Sequence, residues 1–165
     1  MPGNLSKAFA VLRNPVSTFE GIKDEEFLSA VRELTEDPAV RSMGNFNHHD
    51  ATTLRHVISV SLVSYYLARA CGLDSSSTAR GALLHDFFLY DWRDGIRRQH
   101  RTTHPRTALY NALNRFSLND VEADIIFSHM WPVARPIPKY RESFLVGIVD
   151  KIVSTREVFR MFRLR

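Results

Sequence analysis

The segment ALLHDFFLYDW, residues 82–92, places His85 and Asp86 side by side among leucines and aromatic residues. Neither side chain belongs in an apolar setting without a partner, because the burial of a charge or of an unpaired polar group is costly. Other parts of the chain must therefore supply something that satisfies both groups.

Further imidazole and carboxylate groups lie in apolar helical patterns elsewhere. His56 begins the apolar stripe of one predicted helix, His129 ends the segment DIIFSH, and Asp150 is embedded in FLVGIVDKIV. An acidic side chain in so apolar a helix needs a cation or strong hydrogen-bond donors. Taken singly, each position also suits a hydrogen-bonded core histidine or an aspartate paired with arginine.

One divalent metal site would satisfy all of these groups together. Four predicted helices each direct an imidazole or a carboxylate inward. Ligands of these two kinds, without thiolate, suit manganese, iron, nickel, cobalt, zinc or magnesium. The sequence therefore predicts one or two bound divalent ions and leaves their identity open.

The order of His56, then His85 and Asp86, then Asp150 resembles the signature of the HD-domain superfamily of metal-dependent phosphohydrolases. The resemblance covers about residues 45–158 and implies a single HD-like domain over residues 1–165, all-α, with its site inside a compact helical bundle. The segments HHDATTLRH, ALLHDFFLYDWR and FSHMWP are most similar to bacterial HD-domain proteins described only as predicted hydrolases.

Two further histidines resemble the extended, two-metal version of that site. His104, followed by Pro105, matches the family's intermediate histidine, and His129 matches its second. The resemblance implies one ion held by His56, His85, Asp86 and Asp150. It implies a second ion held by Asp86, His104 and His129, with Asp86 bridging the two.

The sequence also departs from the family's patterns. Many relatives carry a lysine three residues after the dipeptide, where this chain has Leu89, so no phosphate-binding lysine is expected there. The branch that cleaves cyclic dinucleotides has a glycine-tyrosine-proline motif where this chain reads HMWPVARPIPKY. We therefore do not expect a cyclic dinucleotide substrate.

The resemblance implies hydrolysis of a nucleotide-like phosphomonoester or phosphodiester by a metal-activated water. Asp86 would orient the water and accept its proton. His49 could protonate the leaving group, although a surface or capping role also suits it. Lys151 and Arg101 are candidates for binding substrate phosphate, with solvated charges as the alternative.

Two other functions remain open at this point. Some HD-domain proteins with the same six ligands hold a di-iron centre and cleave carbon bonds with oxygen. Alternatively, the chain is a non-catalytic metal-containing module that binds nucleic acid through its basic C-terminal region; such binding would weaken steeply as salt rises. The net charge of +4 suits phosphorylated ligands, nucleic acid or a solvated basic face, and the C-terminal arginines contribute to it: Arg156, Arg160, Arg163 and Arg165.

Aromatic residues follow the histidine-aspartate dipeptide. They either stack a nucleobase beside the metals or form part of the core: Phe87, Phe88, Tyr90 and Trp92.

The elements that position these groups read as helices almost throughout. Asp24 caps the first helix. Residues 52–71 form the second, which Gly72 ends, and Ser75 or Ser76 caps the third.

The fourth helix begins near His104, with Pro105 in its first turn. A capping box of Ser117 and Asp120 opens the fifth, which Pro132 ends after His129. A sixth spans about residues 140–160, with an apolar face of Leu145, Ile148, Val149 and Ile152, and residues 131–139 form an irregular loop.

The composition is that of an ordinary globular domain. The chain has 165 residues, of which 44% are hydrophobic and 24% charged, enough for one core without disulfides. The single cysteine, Cys71, cannot form an intramolecular disulfide, and we expect a packed thiol in a reducing compartment. With no long apolar run and no signal peptide, we expect a cytoplasmic protein without membrane partners.

Overall fold

The computed structural model describes residues 2–48, 51–90 and 97–163. The α-helices in these ranges are α1 Pro2–Arg13, α2 Glu25–Glu36, α3 Pro38–Ser42, α4 Thr53–Cys71, α5 Ser75–Leu84, α6 Arg97–Leu113, α7 Asp120–Ser128 and α8 Arg141–Arg163. Single 3₁₀ turns lie at Phe19–Gly21 and Met43–Asn45. The strands β1 Asn47–His48 and β2 Ala51–Thr52 form a short antiparallel ladder in which Asn47 faces Thr52.

The centre of the fold is α4, which is buried along most of its length and packs against α1, α5 and α8. Its ends carry strong local signals. The Thr52 hydroxyl accepts a hydrogen bond from the Arg55 amide, and Gly72 ends the helix at φ 67°, a left-handed conformation that glycine adopts without strain. Helix α4 therefore carries His56 into the interior, with no exposed surface on that side chain.

The predicted all-α fold is confirmed: the described chain forms one compact helical domain around a continuous apolar core. Helix α2 begins after Asp24 and α4 ends at Gly72, as predicted. Residues 131–139 form the predicted irregular connection between α7 and α8. Among the described residues, no helix combines the length and the hydropathy that crossing a membrane requires.

Two predicted helix caps are wrong by one or two residues. The N-cap of α5 is Asp74 and not Ser75 or Ser76, because the Asp74 carboxylate accepts hydrogen bonds from both the amide and the hydroxyl of Ser77. The capping box of α7 uses Asn119 and Glu122, whereas we predicted Ser117 and Asp120. An N-cap needs a suitable residue type and also the right backbone geometry. Residue type alone therefore does not show which of several neighbouring polar residues begins the helix.

Two helices differ more substantially from the prediction. Helix α6 begins at Arg97, so Pro105 lies in its interior and not in its first turn. An interior proline costs one backbone hydrogen bond but does not always end a helix. Helix α1 was not predicted; its Ala8 is buried and it packs against α4.

The buried face of α8 also differs from the predicted one. Ile148 and Ile152 are 57% and 46% exposed, whereas Val146, Val149 and Val153 enter the core. The face of α8 that enters the core also carries the buried carboxylates of Asp150 and Glu157. It is therefore not the face with the most apolar residues. Cys71, expected to be packed, is exposed at the end of α4.

A close approach between α5 and α7 depends on Gly81. A Cβ atom built on Gly81 would lie 2.9 Å from Cβ and Cδ1 of Ile125, whose side chain is fully buried. This contact brings together the two helices that end at His85 and His129.

We expect Gly81→Ala to lower the free energy of unfolding by about 1–3 kcal/mol, because the added methyl overpacks against Ile125. In Gly3→Ala the new methyl meets no atom within 4 Å. That control should be neutral or should stabilise α1 by up to about 1 kcal/mol. Urea unfolding checks both, and equal stability of the two variants would contradict the close packing.

Candidate metal centre

Two imidazoles and two carboxylates, from α4, from the segment just after α5 and from α8, meet in the interior. Nε2 of His56 lies 3.2 Å from Oδ1 of Asp150, and Nε2 of His85 lies 3.7 Å from the same oxygen. Oδ2 of Asp86 lies 3.6 Å from Nε2 of His85. All four side chains are buried, so the first predicted ligand group is brought together.

A second group adjoins the first on the other side of Asp86. Oδ1 of Asp86 lies 3.3 Å from Nε2 of His104 and 3.7 Å from Nε2 of His129. The two histidine Nε2 atoms are 2.9 Å apart. His104 comes from α6 and His129 directly follows α7, so the six predicted ligands converge from five parts of the chain.

The separations suit shared metal ions. Two ligand atoms on one ion lie at most about 4.2 Å apart, since each metal–ligand bond is about 2.1 Å long. The nitrogen–oxygen separations of 3.2–3.7 Å fall within that limit. Ligand atoms of His56, His85 and Asp86, and those of Asp86, His104 and His129, lie within 4.8 Å of one another. These buried groups could therefore hold a metal ion.

The hydrogen bonding of His85 is what a metal ligand requires. Its Nδ1 lies 2.7 Å from the Ala82 carbonyl oxygen, to which it donates, and its buried Nε2 has no hydrogen-bond partner. A neutral His85 would thus direct a lone pair toward the oxygens of Asp86 and Asp150. Only a cation or a second proton between these atoms makes the arrangement favourable.

His129 repeats this local arrangement at the end of α7. Its Nδ1 lies 2.8 Å from the Ile126 carbonyl oxygen, three residues earlier, just as His85 bonds to the carbonyl three residues before it. Donation from Nδ1 leaves Nε2 as the lone-pair atom directed at Asp86. In both rings a backbone carbonyl selects the nitrogen that is available to a metal.

The carboxylates of the centre favour protonation of two of its histidines. Burial disfavours the imidazolium form of His56, but the carboxylates of Asp150 and Glu157 raise its pKa to about 10. Burial likewise opposes charge on His85, yet Asp86 and Asp150 raise its pKa.

The pKa values of Asp86, Asp150 and His129 are also shifted by burial and by neighbouring charges. Burial would raise the carboxyl pKa of Asp86 and Asp150, but the surrounding histidines hold both well below their usual range. Burial, with the repulsion of His85 and His104, lowers the pKa of His129 to about 3. The metal-free centre therefore keeps its carboxylates ionised and the His129 imidazole neutral, and a bound metal would replace the protons on His56 and His85.

Sequence reasoning missed Glu157, a buried carboxylate on α8. Its two oxygens lie 3.2 and 3.1 Å from Nδ1 of His56, on the side of the ring opposite Asp150. A ligand histidine commonly donates its other ring proton to such a carboxylate, which fixes its tautomer and orientation. The signal in the sequence was spacing: Glu157 follows Asp150 by seven residues, two helical turns, on the same face of α8.

Asp124, also missed, anchors the start of α8 against α7. Its Oδ2 accepts hydrogen bonds from the Lys139 amide at 2.9 Å, the Tyr140 amide at 3.4 Å and the Ser143 hydroxyl at 2.6 Å. The carboxylate thus satisfies donors at the positive end of the helix. It fixes the position of the helix that carries Asp150.

Of the predicted substrate-binding residues, only Lys151 has a described side chain. Its ammonium group donates to the carbonyl oxygens of His129 and Gly147, at 2.9 and 3.0 Å, and burial lowers its pKa. Arg101 lies in α6, but its side chain is outside the described part of the structure, and His49 lies outside the described residues altogether.

The aromatic residues after Asp86 divide between core and site. Phe87 is fully buried in the core, and Phe88 packs edge-on against the His104 ring with ring centroids 5.9 Å apart. Tyr90 is 36% exposed, and Trp92 lies outside the described residues. Phe87 is therefore a core residue, which was one of the two predicted roles.

The raised pKa of His56 predicts how stability of the metal-free protein depends on pH. Histidine has its ordinary pKa of 6.5 in the unfolded chain, so the contribution of the buried imidazolium is complete below that pH and is lost as pH rises through about 10. The difference in unfolding free energy between wild type and His56→Gln should therefore shrink above pH 6.5, by up to about 1.4 kcal/mol per pH unit. Urea unfolding at several pH values measures it; a difference that grows with pH would refute the ion pairs.

Glu157 should influence metal affinity without being a ligand. We expect Glu157→Ala to weaken Mn²⁺ binding by about 10–100-fold, because His56 loses the group that orients its ring. Glu142→Ala, on the same helix but outside the centre, is the matched control and should bind Mn²⁺ like wild type. Isothermal titration calorimetry measures both, and equal affinities would show that Glu157 does not position His56.

Comparison with known proteins adds no relative from which a role could be taken. No family model matches the chain, and neither does any curated protein or solved structure. The convergence of the six residues therefore rests on the geometry of this protein alone.

Proposed function

We propose that the protein is a metal-dependent phosphohydrolase that acts on a nucleotide-like phosphomonoester or phosphodiester in the cytoplasm. The HD-domain resemblance supplies the reaction class. The buried cluster of four histidines and two aspartates supports it, since imidazole and carboxylate ligands suit a divalent ion that acts on phosphate.

One observation carries the proposal: the two oxygens of Asp86 face different ligand groups. Oδ2 faces His85 and the first group, whereas Oδ1 faces His104 and His129. A carboxylate placed in this way is the bridge that a two-ion site requires. A purely structural aspartate would need only one set of donors.

Bound divalent ions would acidify a water molecule and neutralise charge on the phosphoryl oxygens. The residues of the chain prepare for that step. Asp86 remains ionised at neutral pH and can orient the attacking water and accept its proton. Glu157 holds the His56 ring, and the Ala82 and Ile126 carbonyls hold His85 and His129, so the lone pairs are oriented before substrate arrives.

The roles of the flanking residues are part of the same proposal. Lys151 uses two of its three donors on backbone carbonyls, which leaves one for a substrate oxygen. Arg101 would bind substrate phosphate, and His49 would protonate the leaving group. The partner is a phosphorylated small molecule.

Asp86 is the residue whose loss should be most damaging. We expect Asp86→Asn to reduce metal-dependent hydrolysis of a phosphomonoester and phosphodiester panel to background, while the far-ultraviolet circular dichroism stays helical. Asp120→Asn, at an exposed position in the first turn of α7, is the control and should retain wild-type activity.

His104→Ala should lower the bound metal from about two ions per chain to one, since the second group would keep only two ligands. Metal analysis after gel filtration measures this. About one ion per chain in both wild type and the variant would show that the centre holds a single ion. A coupled Fe(II)/Fe(III) signal in electron paramagnetic resonance of anaerobically purified protein, responsive to a substrate, would instead indicate di-iron oxygenase chemistry.

A further inference from the structure

Three arginines converge on a cleft that the metal centre does not use. The cleft lies between α1, the start of α4 and the C-terminal half of α8; it is shallow, with a cavity volume of about 20 Å³, and its unfilled space reaches about 320 Å³ when the open mouth is included. Arg55, Arg156 and Arg160 line it, and each of these side chains is half-buried.

These arginines lack acidic partners in the part of the chain that the structure describes. Within the described ranges 2–48, 51–90 and 97–163, none of the three guanidinium groups forms a hydrogen bond or an ion pair with an acidic side chain. By contrast, Arg80 pairs with Glu122 and Glu33, and Arg115 pairs with Asp37. Three guanidinium groups around a single cleft, none paired with a described acidic side chain, form a positively charged site that an anion can neutralise.

The cleft contains one carboxylate, and it is already engaged. Glu157 lines the cleft, but both of its oxygens face Nδ1 of the buried His56. It therefore cannot neutralise three cations. The remaining lining is mainly apolar and consists of Val11, Leu12, Pro15 and Val153, with Ser59.

We propose that this cleft binds a phosphate-bearing small molecule. Its phosphate oxygens accept hydrogen bonds from the guanidinium groups of Arg55, Arg156 and Arg160, whose planar donors suit tetrahedral oxyanions. Its apolar portion lies against Val11 and Val153. This site lies on the Glu157 side of His56, away from Asp150, and is distinct from the metal centre.

The position of Glu157 makes the site regulatory. This step rests on the proposed metal centre, because Glu157 contacts the cleft on one side and a metal ligand on the other. An anion in the cleft makes the local potential more negative, so it raises the affinity of the centre for a cation. By linkage, a bound cation raises the affinity for the anion by the same factor.

Anion binding is tested with metal-free protein at constant ionic strength, so the result does not depend on catalysis or on metal-bound phosphate. Isothermal titration calorimetry with inorganic phosphate should show saturable binding of one anion per chain, and phenyl phosphate should bind more tightly because of the apolar wall. Arg156→Gln and Arg160→Gln should each weaken binding about ten-fold or more.

Arg32→Gln and Arg106→Gln are matched controls, because both arginines are exposed on other helices. Each should change phosphate affinity by less than roughly two-fold. Absence of saturable binding, or equal losses in the controls and in the cleft variants, would overturn the site. Phenyl phosphate that binds no more tightly than phosphate would overturn the role of the apolar wall.

The coupling has its own readout. Free Mn²⁺ measured by electron paramagnetic resonance gives the metal affinity with and without phosphate, for wild type and for the double variant Arg156→Gln/Arg160→Gln. Phosphate should raise the Mn²⁺ affinity more in wild type than in the double variant. An equal effect in both proteins would show that phosphate acts only at the metals and would overturn the regulatory role.

Discussion

Burial of two ionised carboxylates is the constraint that organises this protein. Asp86 and Asp150 are both buried inside a helical bundle, and each has an oxygen close to Nε2 of His85, at 3.6 and 3.7 Å. Their charge must be balanced locally, because an isolated buried carboxylate is strongly unfavourable. His85, His104 and His129 approach the oxygens of Asp86, and His56 and His85 approach Asp150, so these imidazoles can serve as proton carriers or as metal ligands.

Helix α8 shows how the rest of the fold serves that centre. The Asp124 carboxylate binds its first turn, and the Lys151 ammonium ties its middle to the carbonyl of His129. Gly147 permits the close contact, since a Cβ there would lie 3.2 Å from the same carbonyl oxygen. Two of these three contacts lead directly to a ligand-bearing residue. The helix is therefore held where Asp150 and Glu157 can both reach His56.

The sequence predicted much of this arrangement because its strongest signals were chemical. A charged residue in an apolar helix, such as Asp150, is easy to recognise in the sequence. Gly72 marks a helix end because glycine adopts the left-handed conformation found there. The exact N-cap residues and the buried helix faces were harder to predict. Asp74 and Ser75, for example, are both good capping residues, and only packing decides between them. Glu157 was missed because its partner, His56, lies 101 residues away. The arginine cleft depends on how α1 packs, and that helix has no marked pattern.

The paired geometry of His85 and His129 has a consequence for the timing of assembly. Each ring is bound to a carbonyl only three residues away, at the end of its own helix. The choice of tautomer is consequently a property of short segments and does not wait for distant residues to arrive. Two of the six candidate ligands are thus oriented as soon as their helices form, which lowers the entropy that remains to be lost when the bundle closes around a cation.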